Sequence, residues 1–296
     1  MSDDDIKNWS ELDRFNIPIL GRRLKQHRKA LSISGSQISR SELAQLNNSQ
    51  ADSYGKIERG ERKITEDHLR KVMARLKLNE EECSLLWRLR FPLIPRNDWS
   101  GELRHIANHF RVPAEQEWHA RRIIGCHEVR LPGVLHDVAF MRQQFMSDPA
   151  NTPEMIEARV KHRLERRGTL TKRPAIEHHY IICEPTLDNV CRLPDSDISR
   201  AQLLFLIDSI KKYENLTVQL LPARCGAPDR SKDQMIYLFK EDVGNFVYYE
   251  TGPNSICCPE REKVAGALDF AETLASLALS PEDTLGCILD LFHGLR

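Results

Sequence analysis

Eight cysteines and eleven histidines are the first candidates for chemistry in this 296-residue chain. Their spacing argues against it. Cys83, Cys126, Cys183, Cys191, Cys225 and Cys287 stand alone, and Cys257 and Cys258 are adjacent. No C-x-x-C pair occurs, and no histidine pair follows a cysteine pair at zinc-finger spacing. Neighbours such as Cys126-His127 and His178-His179 point to opposite faces if they lie on strands, so they cannot readily share an ion. No metal site is expected, and the thiols read as buried or reduced. Neither G-x-S-x-G, nor a phosphate-binding glycine loop, nor H-E-x-x-H is present. One catalytic arrangement is conceivable: Glu184 and Glu250, each ending an expected strand, converge as an acid–base pair beside His178 or His179. Strand-end carboxylates more commonly cap helices or pair with cations. The chain is therefore expected to be no enzyme and to carry no cofactor.

Charge points to a different chemistry. The formal net charge is zero, yet residues 18–76 hold 13 Lys and Arg against 6 Asp and Glu. A basic module on a neutral chain is the electrostatic footprint of a local nucleic-acid contact.

Elements that hold such a surface follow from the hydrophobic pattern. The length suits two domains. No apolar run approaches the roughly 18 residues that cross a bilayer, and the acidic start MSDDDIKNWSELDR has no apolar stretch of a signal peptide; the cytoplasm is expected, with no membrane contact. Residues 1–17 read as an acidic tail and 18–91 as a five-helix domain. In the first helix, Leu20, Leu24, His27 and Leu31 form one stripe, and Gly35 breaks it. Ser39 caps a short helix with Glu42 as its reciprocal partner, Asn47-Asn48 turns, and a second short helix ends at Gly60. Thr65 caps a fourth helix bearing Leu69, Val72, Met73 and Leu76. Asn79 with Glu82 caps a fifth, bearing Cys83, Leu85, Leu86 and Leu89.

The stretch Ser39-Arg40-Ser41-Glu42-Leu43-Ala44, followed at the right interval by Glu58-Arg59-Gly60, resembles the Cro/CI-type (Xre family) helix-turn-helix. That resemblance implies a recognition helix over residues 50–58, in which Gln50, Ala51, Asp52, Ser53 and Lys56 touch DNA. It sets Arg40 where a helix-2 residue meets a phosphate, and Arg59 and Lys63 join as further DNA contacts. Asp52, repelled by phosphate, suits a cytosine amino group in the major groove. Asn47, Tyr54 and Gly55 depart from the family pattern. An interior glycine costs about 1 kcal/mol, so this helix is expected to firm up on DNA.

Residues 92–112 read as a linker, FPLIP, with a connecting helix carrying Leu103, Ile106 and Phe110. Residues 113–296 read as an α+β domain. Pro113 opens a helix that ends at Gly125. A helix follows with Val134, Val138, Met141 and Phe145 inward. From Pro153 a basic helix carries Ile156, Val160 and Leu164 as its stripe. Its Arg159, Lys161, Arg163, Arg166 and Arg167 form either an anion-binding surface or, the reading favoured here, a solvated face. Strands are expected in AIEHHYIIC, LTVQLLP, QMIYLFK and NFVYYET, with a helix between the first two and two helices closing the chain.

LPGVLHDVAFMRQQF, ARVKHRLERRGTL, CEPTL, TVQLLPARCGAP, FVYYET and LASLALSPEDT resemble, in this order, an uncharacterised domain of many actinobacterial regulators. That resemblance implies antitoxin-like or developmental regulators whose genes often neighbour one for a small companion protein. The expected function is a dimeric transcriptional regulator of double-stranded DNA, acting at an inverted-repeat operator. A companion protein or small-molecule effector is expected at the second domain, with Glu184, Arg224, Tyr249 and Glu250 as contacts near strand ends. The alternative is an antitoxin-like protein that sequesters its companion and autoregulates. An enzyme with an attached DNA-binding module ranks below both.

Overall fold

The first five helices are set largely by their ends. α1 (Glu11–Ile33), α2 (Arg40–Gln45), α3 (Ala51–Arg59), α4 (Glu66–Arg75) and α5 (Glu80–Arg90) form one unit. The Ser39 hydroxyl accepts from the Glu42 N–H at 3.0 Å, Thr65 from His68 at 3.4 Å, and the Asn79 carbonyl from Glu82 at 2.8 Å. Each satisfies one orphan donor of a first turn. The reciprocal half of the first capping box is replaced, because the Glu42 carboxylate goes to Arg75 Nε at 2.8 Å. Asn48 takes the left-handed conformation at φ 49° in the turn between α2 and α3. The computed structural model describes residue 9 and residues 11–33, 38–90, 113–114, 116–172, 175–225, 233–239, 245–250 and 255–295. The expected break at Gly35 and the expected linker and helix of 92–112 lie outside the described residues.

One expectation for this unit needs correction. The acidic tail is shorter than residues 1–17: α1 begins at Glu11 and runs through Pro18. Burial of Trp9, Asn16 and Ile17 outweighs the helix-breaking tendency of the proline. Gly55 sits within a full-length α3. The helix is continuous from Ala51 to Arg59, because Tyr54 and Ile57 are buried and Gly60 caps it at φ 74°. Gly21 and Gly60 let α1 sit directly on α3: a Cβ at Gly21 would lie 2.3 Å from the Ile57 carbonyl oxygen, and one at Gly60 2.5 Å from Pro18 Cα.

The second unit is a six-stranded sheet with helices on it. Its elements are β1 (Arg122–His127), α6 (Val138–Met146), α7 (Pro153–Arg167), β2 (Glu177–Cys183), α8 (Glu184–Cys191), α9 (Ser196–Lys212), β3 (Leu216–Leu221), β4 (Gln234–Leu238), β5 (Phe246–Tyr249), β6 (Ile256–Cys258), α10 (Arg261–Leu277) and α11 (Pro281–Gly294). The strand order is β3-β2-β1-β4-β5-β6. β1, β2 and β3 are parallel, and β4, β5 and β6 are joined antiparallel. The expected α+β class holds. The helix expected from Pro113 to Gly125 is cut short: Pro113, Ala114 and Gln116 are helical, but after the turn Glu117–His119 the chain becomes β1, a central strand. A Cβ at Gly125 would lie 2.6–2.8 Å from the His127, Tyr180 and Met235 side chains, so glycine is what lets its neighbours close over this strand.

One sheet face buries Ile124, Ile181, Ile236 and Val247 against Val264, Ala267, Ala271 and Leu274 of α10. The open side of β3 is covered by the start of α11 and the turn before it. Leu279 N–H donates to Leu220 O at 2.8 Å, and Leu220 N–H donates to Thr284 Oγ1 at 2.9 Å. An edge strand so occupied cannot template pairing with another chain. The other sheet face is partly polar, with His127, His178, Tyr180, Tyr237 and Tyr248 buried on it.

Burial pushes the His127 and His178 imidazoles down to about 4, with the Arg166 charge adding to the effect at His178. Such a group stays neutral in the folded chain while its unfolded counterpart gains a proton below about 6.5. The unfolded state therefore binds more protons between those values, and stability falls as pH falls through that window. We expect the second unit to lose about 1–2 kcal/mol per histidine between pH 7 and pH 5, read from urea midpoints. His178→Gln, which cannot charge, should flatten the slope. An unchanged slope would show that His178 does not carry it.

Candidate nucleic-acid interface and the sheet-edge cluster

α2, the turn after it and α3 present one polar face. α3 buries Tyr54, Gly55, Ile57 and Glu58 inward and leaves Ala51, Asp52, Lys56 and Arg59 exposed. Gln50 precedes it as an exposed N-cap residue with no side-chain cap bond. Ser53 is half-buried and accepts a hydrogen bond from Arg62. Arg62 thus leans on the exposed face of α3. Sequence reasoning passed over it, although its position just beyond the Gly60 cap was a usable clue.

Every expected cationic contact is paired with an acid. Lys56 Nζ lies 3.7 Å from Asp52, and Arg59 bonds Glu61 at 2.9 Å. Lys63 bonds Asp13 at 3.0 Å, sits over the Trp9 ring and is only 13% exposed. Arg40 Nε bonds Glu58 at 2.8 Å, and Arg28 holds the same carboxylate through Nε at 2.5 Å and Nη2 at 3.0 Å. Burial pushes the Glu58 carboxyl up, but the hydrogen bonds and charges of Arg28 and Arg40 outweigh it and hold it below the ordinary range. Magnitudes separate these pairs. Exposed pairs are worth about 0–1 kcal/mol, so Lys56 and Arg59 can exchange their acids for phosphate at little cost. Glu58 is fully buried, and Arg40 stays tied to it while offering only its outer, 44% exposed side.

In the second unit, the four expected contacts lie along one edge of the sheet without forming one site. Glu184 opens α8 and accepts from the Ala223 N–H at 2.7 Å. Arg224 sits exposed in the turn Ala223–Cys225. Tyr249 ends β5 half-buried, and Glu250 follows it, 3.8 Å from Arg130. Strands β2 and β5 are three spacings apart, roughly 14 Å. Glu184 and Glu250 therefore do not converge as a carboxylate pair. His178 and His179 lie at the opposite end of β2, bonded to Tyr180 OH at 2.9 Å and Gln219 at 2.8 Å. Among the described residues no group of three or more His, Cys, Asp or Glu is placed to hold a metal.

The basic helix α7 differs most from its solvated reading. Ile156 and Val160 are buried as expected, but Leu164 is 39% exposed and Arg166 is buried instead. Arg166 forms a bidentate pair with Glu117, Nε to Oε2 at 2.6 Å and Nη2 to Oε1 at 3.1 Å. Arg163 donates Nη1 to His136 Nδ1 at 2.7 Å and to Gln144 at 2.8 Å. Arg167 donates to the His136 carbonyl and stacks on Phe205. Periodicity placed arginines on the wet side by type. Tertiary partners turned three of them inward.

What the fold and these clusters define is a helical unit with a polar face formed by α2, the turn after it and α3, followed by a mixed-sheet domain. Residues 110–290 match a family described as a domain of unknown function (DUF5753), and the chain belongs to that family. The matched segment starts beyond α5, so the helical unit lies outside it. No curated protein and no solved structure matches the chain. Among the described residues no helix is long and apolar enough to cross a membrane.

Proposed function

We propose that this protein is a sequence-specific, DNA-binding transcriptional regulator of the Cro/CI type, acting in the cytoplasm as a homodimer. Its second domain receives a partner protein or small ligand. The observation that carries this is the exposed face of α3, where Ala51, Asp52, Lys56 and Arg59 project from a helix locked by Tyr54, Ile57 and Gly60. Further support comes from the cationic excess of residues 18–76 and from the low cost of opening the Lys56–Asp52 and Arg59–Glu61 pairs. A single module contacts too few base pairs for selectivity, so two act together on an inverted repeat.

Duplexes selected from a random pool by the full-length protein, then titrated by fluorescence anisotropy, test this. Affinity should fall steeply with salt. Arg59→Ala should weaken binding to all sequences alike and reduce the salt slope by about 1. Lys56→Ala should cost roughly tenfold and, with Ser53→Ala, change the preferred bases. If Lys56→Ala leaves both affinity and preference untouched, α3 is not the recognition helix.

A further inference from the structure

Several arginines of this chain hold a carboxylate in the same way, with Nε and Nη2 forming a side-on fork. Arg28 does so to Glu58, Arg142 to Glu157 and Arg166 to Glu117. Arg163, on the same helix as Arg166, departs from this pattern. Its Nη1 is fully used by His136 Nδ1 and Gln144, and the fork of Nε and Nη2 has no acceptor among the described residues. The acceptor role of His136 Nδ1 is consistent with its Nε2–H donating to Leu131 O at 2.8 Å, which leaves a neutral ring. Arg163 is therefore held rigidly by one end, with its recognition edge open. A planar fork held in this way matches two oxygens of a carboxylate or phosphate.

The surroundings support an anion there. Gly133 supplies the opposite wall: a Cβ on it would stand 3.5 Å from Arg163 Nε and 3.6 Å from Arg166 Nη1, in ordinary contact. Burial and the neighbouring Arg166 charge lower the Arg163 guanidinium to about 9, with Glu250 opposing. Glu250 is the acid whose charge acts on Arg163, and it is drawn to Arg130 at 3.8 Å. Arg130 and Gly133 lie beyond the carboxyl end of β1, on the segment leading from it to α6, and Arg163 of α7 lies against Gly133. Open sheets with parallel strands bind ligands outside those strand ends.

We propose that Arg163, with Gly133 and Arg130, forms a binding site for a small molecule bearing a carboxylate or phosphate group. This names a ligand class for the receiving role proposed above and rests on that role only for its consequence at DNA. Binding itself is therefore read without DNA, so failure of one leaves the other standing.

The test is thermal unfolding of the full-length protein in sodium phosphate, in sodium succinate and in sodium chloride at matched ionic strength. Phosphate, succinate or both should give a saturable rise over chloride, roughly 3–5 °C at tenfold above Kd. Phosphate alone marks a phosphorylated ligand, and succinate alone a carboxylate. Arg163→Gln should abolish the rise. Arg163→Lys, which keeps the charge but lacks the fork, should weaken binding at least tenfold. Gly133→Leu leaves every bond of Arg163 in place and fills the space beside the fork, so it too should abolish the rise. The proposal is overturned if neither anion exceeds chloride, or if the rise survives unchanged in Gly133→Leu.

Discussion

Replacing Glu117 by alanine should destabilise the second unit by about 3–5 kcal/mol, a large share of the 5–15 kcal/mol that typically holds a domain together. The reason lies in what the substitution leaves behind. Glu117 is 0% exposed and Arg166 8% exposed, so the freed guanidinium has no path to water. Burial alone disfavours the charge of Arg166, and Glu117 outweighs it by Coulomb attraction and hydrogen bonds. With the carboxylate gone, the charge and hydrogen bonds that did most to offset this penalty go with it. Replacing both residues by apolar side chains of similar volume removes the penalty as well, and such exchanges are commonly neutral or better. Glu117→Met with Arg166→Met should therefore recover most of the loss. Native-state hydrogen exchange of the β1 and β2 amides reads this unit specifically. A drop under about 1 kcal/mol for Glu117→Ala, the scale of a surface pair, would mean that water reaches Arg166.

Glu58→Ala should cost the helical unit about 3 kcal/mol, the lower end of the range for a buried pair. Here the consequences divide between two arginines. Arg28 is 12% exposed and Arg40 44% exposed, so Arg40 can turn to solvent while Arg28 stays mostly buried. The Glu58 carboxylate also ties α1, α2 and α3 together at one point, through Arg28 on α1 and Arg40 on α2. Loss of that tie should speed exchange across all three helices, not α3 alone. For a unit of this size the melting temperature should fall by roughly 12–20 °C. Glu58→Gln keeps an acceptor and should lose less. Equal losses for Ala and Gln would show that charge alone is what Glu58 supplies, and no loss for Gln would show that packing is.

Much of the helical unit was legible because its signals are local. Ser39, Thr65 and Asn79 bond within three residues of themselves, and Asn48 and Gly60 take the backbone conformations their types favour. Strands β2 to β5 were legible from β-branched and aromatic runs. The exposed face of α3 followed from the same periodicity that buries Tyr54 and Ile57. Strand β1 was read as helix because Glu117 to Arg122 carries helix formers, and the cue for a strand, Gly125, acts only through Tyr180 and Met235 across the sheet. β6 is three residues long, too short for a period to register.

By itself, the sequence determined the caps of α2, α4 and α5 and the end of α3, most of the strands, the two-part organisation and the basic character of the first part. Those depend on contacts within a few residues or on sums over a segment. Only the tertiary structure decided that α1 continues through Pro18, because Trp9, Asn16 and Ile17 find a core there. It alone separated Glu184 from Glu250 by three strand spacings. It also decided which arginine of α7 meets a buried acid and which is left with its fork open. A charged side chain is classed by type as solvent-facing, but its pairing is a long-range Coulomb and hydrogen-bond question, settled by which residues the fold brings within about 3 Å.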